Sequence, residues 1–146
     1  MATLEEVVEN WKRDAVPDPA KLDKELFKTP FLHAKYLEYY VAFKVRLTQA
    51  EDKYRRMTNV KRRYFRGEFT QDELQQRGWE QWQGLKASGS ELNMLLESDS
   101  DMCDLAAKVS NNKTAVATLE YIMKQIQSRD YTLKNYLDYN RYVSGG

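Results

Sequence analysis

Between Phe31 and Arg66 the chain runs for 36 residues without a glycine or proline, and this stretch limits the possible folds more than any other feature. As a single helix it would extend about 54 Å at ~1.5 Å per residue, far more than a compact domain of this size needs. Its apolar positions repeat in steps of four and three: Tyr36, Tyr40, Phe43, Leu47, Ala50, Tyr54 and Met57. Lys61 occupies the next slot and Tyr64 resumes the series. A 4-3 repeat is a seam along which another helix packs.

Punctuation on either side predicts further helices. Thr3-Leu4-Glu5-Glu6 reads as a capping box, followed by Leu4, Val7 or Val8, and Trp11 at helical spacing up to Pro17. Asp18-Pro19 and Thr29-Pro30 each read as a cap with proline at the first helical position. Gly67 stops the long run, Thr70-Gln71-Asp72-Glu73 is a second box closed by Gly78, and Ser88-Gly89-Ser90-Glu91 a third, ahead of Leu92, Leu95 and Leu96. The acidic Glu97 to Asp104 stretch interrupts, Asn111-Asn112 marks a turn, and Asn112 caps the last helix. There Ala115, Leu119, Ile122, Ile126, Leu133 and Tyr136 keep four-three spacing, with Arg129 in one apolar slot. No strand-like alternation competes. The reading is all-α: one helical domain, residues 1–146, with short N-terminal helices in 1–30, a long basic helix in 31–66, short helices and an irregular segment in 67–111, and a C-terminal helix in 112–143.

Several function classes fall to inspection. The six glycines allow neither a GxxxxGK phosphate loop nor a GxGxxG fingerprint. One cysteine, Cys103, cannot form an intrachain disulfide, and with one histidine, His33, it cannot complete a soft-ligand zinc site. Both are assigned to packing or surface. No clustered acid, base or nucleophile set supports an enzyme, and no cofactor is expected. The longest apolar stretch is Tyr39 to Phe43, so no membrane span is expected, and the Met-Ala-Thr-Leu-Glu-Glu start lacks a signal segment. A soluble protein in a reducing cytosol fits.

The formal net charge of +1 conceals segregation. Lys53, Arg55, Arg56, Lys61, Arg62, Arg63 and Arg66 lie in a stretch with no acid, which is +7 against −6 for the remainder. At ~100° per residue Arg55, Arg62 and Arg66 fall within roughly 40° of one another, opposite the seam, with Arg56 and Arg63 adjoining. Pairs four apart, Glu51 with Arg55 and Asp52 with Arg56, answer two of the seven charges. The others point to a polyanion in preference to a plain solvated face. Tyr64 fits the seam and is assigned to packing, as are Trp79 and Trp82, because Glu80 between them would repel phosphate. Arg129 is expected to pair with an acid across a helix interface, in preference to reaching DNA. The Glu97-Ser98-Asp99-Ser100-Asp101 cluster lacks the spacing and glycine of a calcium loop.

Trp11-Lys12-Arg13-Asp14 with Asp18-Pro19 and Leu22-Asp23-Lys24, the basic helix running into Tyr64-Phe65-Arg66-Gly67, and Ile126-Gln127-Ser128-Arg129-Asp130-Tyr131 with Leu133-Lys134 follow one another along nearly the whole chain. Their order and spacing carry a resemblance to the UvsY family of phage recombination mediators. It implies a non-enzymatic protein, in the cytoplasm of an infected bacterial host, that binds single-stranded DNA. Such a protein would load a phage RecA-like recombinase onto strands covered by the phage single-strand binding protein. It also implies a ring-shaped homo-oligomer of six or seven subunits assembled through the last helix, whose interface would comprise Leu119, Ile122, Met123, Ile126, Arg129, Leu133, Tyr136 and Leu137. The family's basic pair, two residues apart before the aromatic pair and glycine, falls on Asn59 and Lys61. One charge of that pair is missing, and Arg55, Arg56, Arg62 and Arg63 supply positive potential in its place.

Seven phosphate contacts per subunit would give a salt slope of about −5 on a single strand. The alternative reading is a coiled-coil scaffold whose basic stripe docks an acidic protein.

Overall fold

The computed structural model describes residues 1–145. Among them are α1 (Leu4–Asp14), a 3-10 turn (Pro19–Lys21), α2 (Leu22–Glu25), a second 3-10 turn (Leu26–Lys28), α3 (Thr29–Phe65), α4 (Gln71–Arg77), α5 (Gly89–Ser98) and α6 (Ser100–Val143), with no strand. The chain is all-α, with a long central and a long C-terminal helix. No helix among the described residues is long and apolar enough to cross a membrane. Residues 1–45 with 113–145 make one compact unit and residues 46–112 another.

Local chemistry sets most helix ends. Thr3 caps α1 with the full box: its hydroxyl accepts from the Glu6 N–H at 3.2 Å and its own N–H donates to Glu6 Oε2 at 3.1 Å. The Thr70 hydroxyl accepts from the Glu73 N–H at 3.2 Å at the start of α4. At the end of α3 the Glu68 N–H reaches the Arg63 carbonyl at 2.9 Å and the Gly67 N–H that of Tyr64 at 3.0 Å. Gly67 has φ +72° in this Schellman arrangement, a conformation a Cβ would strain.

Three boundaries depart from expectation. Ser88 precedes α5 without a side-chain cap bond. Thr29 is itself helical, with φ −56° and ψ −48°, and its hydroxyl is used in tertiary bonds. Asn111-Asn112 is no turn: α6 passes through both, since asparagine costs an interior helix only about 0.7 kcal/mol relative to alanine. The real start is Asp99, which ends α5 in an extended conformation and whose Oδ2 accepts from the Met102 N–H at 3.1 Å.

In the first unit Val7, Leu22, Leu32, Tyr36 and Phe43 are buried together with Ala115, Val116, Leu119, Ile122, Ile126 and Leu133 of α6. Trp11 meets Tyr36 edge to face at 5.3 Å. Asp14 accepts from Lys35 Nζ at 2.7 Å and Tyr36 Oη at 2.8 Å. Burial pushes the Asp14 carboxyl up, and these bonds more than offset it, so the acid lies below its ordinary range. Burial, then the bond to Asp14, pushes the Tyr36 phenol up.

In the second unit Phe65, Ala87, Leu92, Leu96 and Met102 form the core, with Met57, Tyr64, Trp82 and Leu95 against it. The irregular segment after Gly78 is pinned by three bonds: Tyr64 Oη to the Glu80 carbonyl at 2.6 Å, Trp82 Nε1 to that of Leu85 at 3.0 Å, and the Ala87 N–H to that of Phe65 at 3.1 Å. Gly84 is required there, because a Cβ would overlap the Trp82 ring.

Candidate nucleic-acid interface

The seven cations of α3 and the turn after it divide by what each one touches. Lys53, Arg62 and Arg66 are exposed and have no ion-pair partner among the described residues. Arg55 and Arg56 are exposed but share one carboxylate: Asp52 Oδ1 receives Arg55 Nη2 at 2.8 Å, and Asp52 Oδ2 receives Arg56 Nε at 2.9 Å. Glu51, expected to answer Arg55, has no such partner. On the helical wheel Asp52 falls between the two, about 60° from Arg55 and about 40° from Arg56. Arg63 Nη2 pairs with Glu73 of α4 at 2.9 Å and lies over the Phe69 ring at 5.2 Å. The Arg63 hydrogen bond holds the Glu73 carboxyl below its ordinary range, and Glu73 in turn holds the guanidinium up.

Lys61 departs from its expected role. Its side chain is 8% exposed, with Nζ 3.1 Å from Asp99 Oδ1, 3.0 Å from Asp101 Oδ2 and 4.2 Å from the Trp79 ring centroid. Engaged by two carboxylates and an aromatic face, this side chain ties α3 to the start of α6 and offers nothing to solvent. The signal was in the repeat itself, since Lys61 stands in a seam slot. The acidic stretch expected to interrupt the helices thus supplies the partners of a buried cation.

The aromatic residues beside the stripe are packed on one another. Trp79 stacks on Phe69 at 5.6 Å and 7°, meets Tyr64 edge on at 5.2 Å, and has Arg77 at 5.3 Å. Trp82 lies edge on to Phe65 at 4.9 Å. Their faces and edges are engaged with neighbours, and the group that remains for an anion is the set of cations.

A family model described as "Recombination, repair and ssDNA binding protein UvsY" matches residues 10–146. The chain belongs to the UvsY family. Two crystal structures of the bacteriophage T4 recombination mediator protein UvsY, in lattice types II and IV, share the UvsY-family fold of this chain. Their TM-scores are 0.79 and 0.78 at 19% and 18% identity, covering 99% and 97% of this chain and 99% and 98% of theirs. No curated protein matches the chain.

Of the last-helix residues expected at a subunit interface, some are buried in this UvsY-family chain and others exposed. Leu119, Ile122, Ile126 and Leu133 are buried within the first unit, because the apolar face of α6 is taken up by the chain's own core. Arg129, 9% exposed, donates from Nη2 to Glu25 Oε2 at 2.8 Å and from Nη1 to the Glu25 carbonyl at 2.5 Å and Thr29 Oγ1 at 2.7 Å. That is an acid across a helix interface, but an internal one. Met123 and Leu137 are half-buried. Tyr136 is exposed, and so are Tyr131, Tyr139 and Tyr142 on the same helix. Those three tyrosines were missed, although their spacing of eight and three residues already places them along one side of a helix.

Proposed function

We propose that this chain binds single-stranded DNA through the exposed cations of α3, as a homo-oligomer. In this role it promotes loading of a RecA-like phage recombinase onto strands covered by single-strand binding protein, in the cytoplasm of an infected bacterium. The observation that carries the reading is the three unanswered cations, Lys53, Arg62 and Arg66, beside Arg55, Arg56 and Arg63 on one helical segment of a UvsY-family chain. A cation without an internal partner has no ion pair to give up when a phosphate arrives, and neutralising a polyanion releases its counterions. Contacts of this kind carry no base information, so binding is independent of sequence. With Lys61 withdrawn, six cations remain and the largest slope per subunit falls from about −5 to about −4. The chain, taken as one domain, contributes no catalytic group of its own.

Self-association uses what is exposed. The tyrosine side of α6, with Tyr131, Tyr136, Tyr139 and Tyr142 between 57% and 85% exposed, is the surface on which a second copy would seat, with Met123 and Leu137 at its margin. Tyrosine suits such a surface, giving large apolar contact with a polar tip. A ring of stripes raises the effective concentration of sites along one captured strand.

The test is a titration of a dye-labelled oligothymidylate at several salt concentrations, with mass by light scattering alongside. Arg62→Glu with Arg66→Glu should abolish binding at moderate salt and leave the mass unchanged. Retained binding by that double variant would reject the stripe. A wild-type protein that ignores the oligonucleotide in dilute buffer would favour the scaffold with an acidic protein partner.

A further inference from the structure

Asp52 lies on the outer face of α3 and both of its carboxylate oxygens are taken by guanidiniums of the proposed strand-binding stripe. We propose that Asp52 is an internal phosphate mimic that holds Arg55 and Arg56 in reserve, so that the resting stripe face presents Arg62 and Arg66 as its unpaired cations and its affinity for a strand is set low. This rests on the single-strand reading above.

The geometry separates this carboxylate from Asp99, and it holds two stripe arginines where Glu73 holds one. Asp99 is 13% exposed and its partner Lys61 8%, so that pair is structural and closed to a ligand. Asp52 is 38% exposed, and Arg55 and Arg56 are 70% and 79% exposed. Water and a phosphodiester can therefore reach the same donors that Asp52 occupies. A phosphodiester carries one negative charge, as a carboxylate does, and accepts from guanidinium in the same forked manner. Exchange between Asp52 and phosphate is then a competition between like acceptors, with the carboxylate always present at contact distance. Its charge also repels a phosphate that approaches either arginine. Glu51, the neighbouring acid, restrains no arginine.

An exposed ion pair is worth a factor of roughly 1.5 to 5 in an equilibrium. Because Asp52 restrains two arginines, Asp52→Asn should tighten binding of a short oligonucleotide by the product, about two- to twenty-fivefold at fixed salt. The salt slope carries the sharper signature. The two unpaired contacts of the stripe face give a slope of about −1.4 per subunit, and four give about −2.8. Glu51→Gln removes the same charge one residue away and frees nothing, so it should change affinity by less than about twofold in physiological salt and leave the slope as in wild type.

The experiment measures binding of a dye-labelled oligothymidylate of about eight nucleotides, short enough to occupy one stripe. Wild type, D52N and E51Q are compared across a salt series, with helicity by circular dichroism as the folding control. Tighter binding with a steeper slope in D52N alone is the expected result. Wild-type binding with D52N no tighter than E51Q, or with an unchanged slope in D52N, overturns the role of Asp52 while leaving the strand-binding reading intact. Failure of the wild type and D52N to bind at any salt overturns both.

Discussion

Replacing Glu25 by alanine would strand a cation inside the first unit. Arg129 makes three hydrogen bonds there, and the Glu25 carboxylate is the sole charged acceptor among them. Breaking a buried pair from one side costs about 3–5 kcal/mol, most of it the unpaired charge. The lower end applies here, because Lys28, 60% exposed, also reaches the Glu25 carboxylate at 2.6 Å and brings one side of it to solvent. At about 3 °C per kcal/mol for a chain of this length, E25A should lower the melting temperature by about 10 °C. Thermal unfolding followed by circular dichroism reads this directly, at one fixed protein concentration, since assembly alters apparent stability. Arg129→Met removes the cation and leaves Glu25 its bond to Lys28, so it should cost less. The double variant E25A/R129M should then be more stable than the two single losses added together. A shift below about 3 °C for E25A, or strict additivity in the double variant, would refute the account of a charge compensated from within.

The same carboxylate fixes an acid response. The Lys28 hydrogen bond holds Glu25 below its ordinary 4.5, so its contribution is complete above that value and is lost as pH falls through the lowered folded value. Melting temperature should therefore decline below pH 4.5, less steeply in E25Q. Lys61→Gln should lower the melting temperature by several degrees, because two carboxylates lose their shared cation, while the salt slope of strand binding stays as in wild type; a flatter slope would return Lys61 to the interface. Leu119→Ala, at a position 0% exposed, should cost about 2–5 kcal/mol and lower the melting temperature by about 6–15 °C. Tyr139→Ser with Tyr142→Ser should instead reduce the mass seen by light scattering and keep the helicity. Dissociation without destabilisation in L119A would reverse that assignment.

Where a single residue type dictates local geometry, sequence and structure agree closely. Thr3 and Thr70 cap helices because a hydroxyl there has one unpaired N–H within reach, and Gly67 ends α3 because a left-handed residue is needed to close it. The run without a breaker does form one helix as far as Phe65. What spacing alone could not resolve was which partner a charged residue would take. Lys61 and Arg129 both stand in apolar slots, and both prove to be buried cations whose acids lie 38 and 104 residues away. Local pairing was equally undetermined, for Asp52 outcompetes Glu51 through a side-chain direction that residue counting does not contain. Asn111-Asn112 misled because asparagine favours turns in exposed chain but only weakly opposes a helix already under way. The face of α6 was legible as apolar; that the chain's own first 45 residues would cover it depends on tertiary contacts of high sequence separation.

That separation bears on how the molecule is made. Residues 46–112 form a continuous stretch, and their core can close while later codons are still being read. The first 45 residues must wait: Val7, Leu22 and Tyr36 have no completed interior until α6 is synthesised past Leu133. A nascent chain therefore carries its earliest apolar surface unprotected through most of translation, and premature termination anywhere before Arg129 leaves Glu25 with Lys28 as its one cation and without its buried partner.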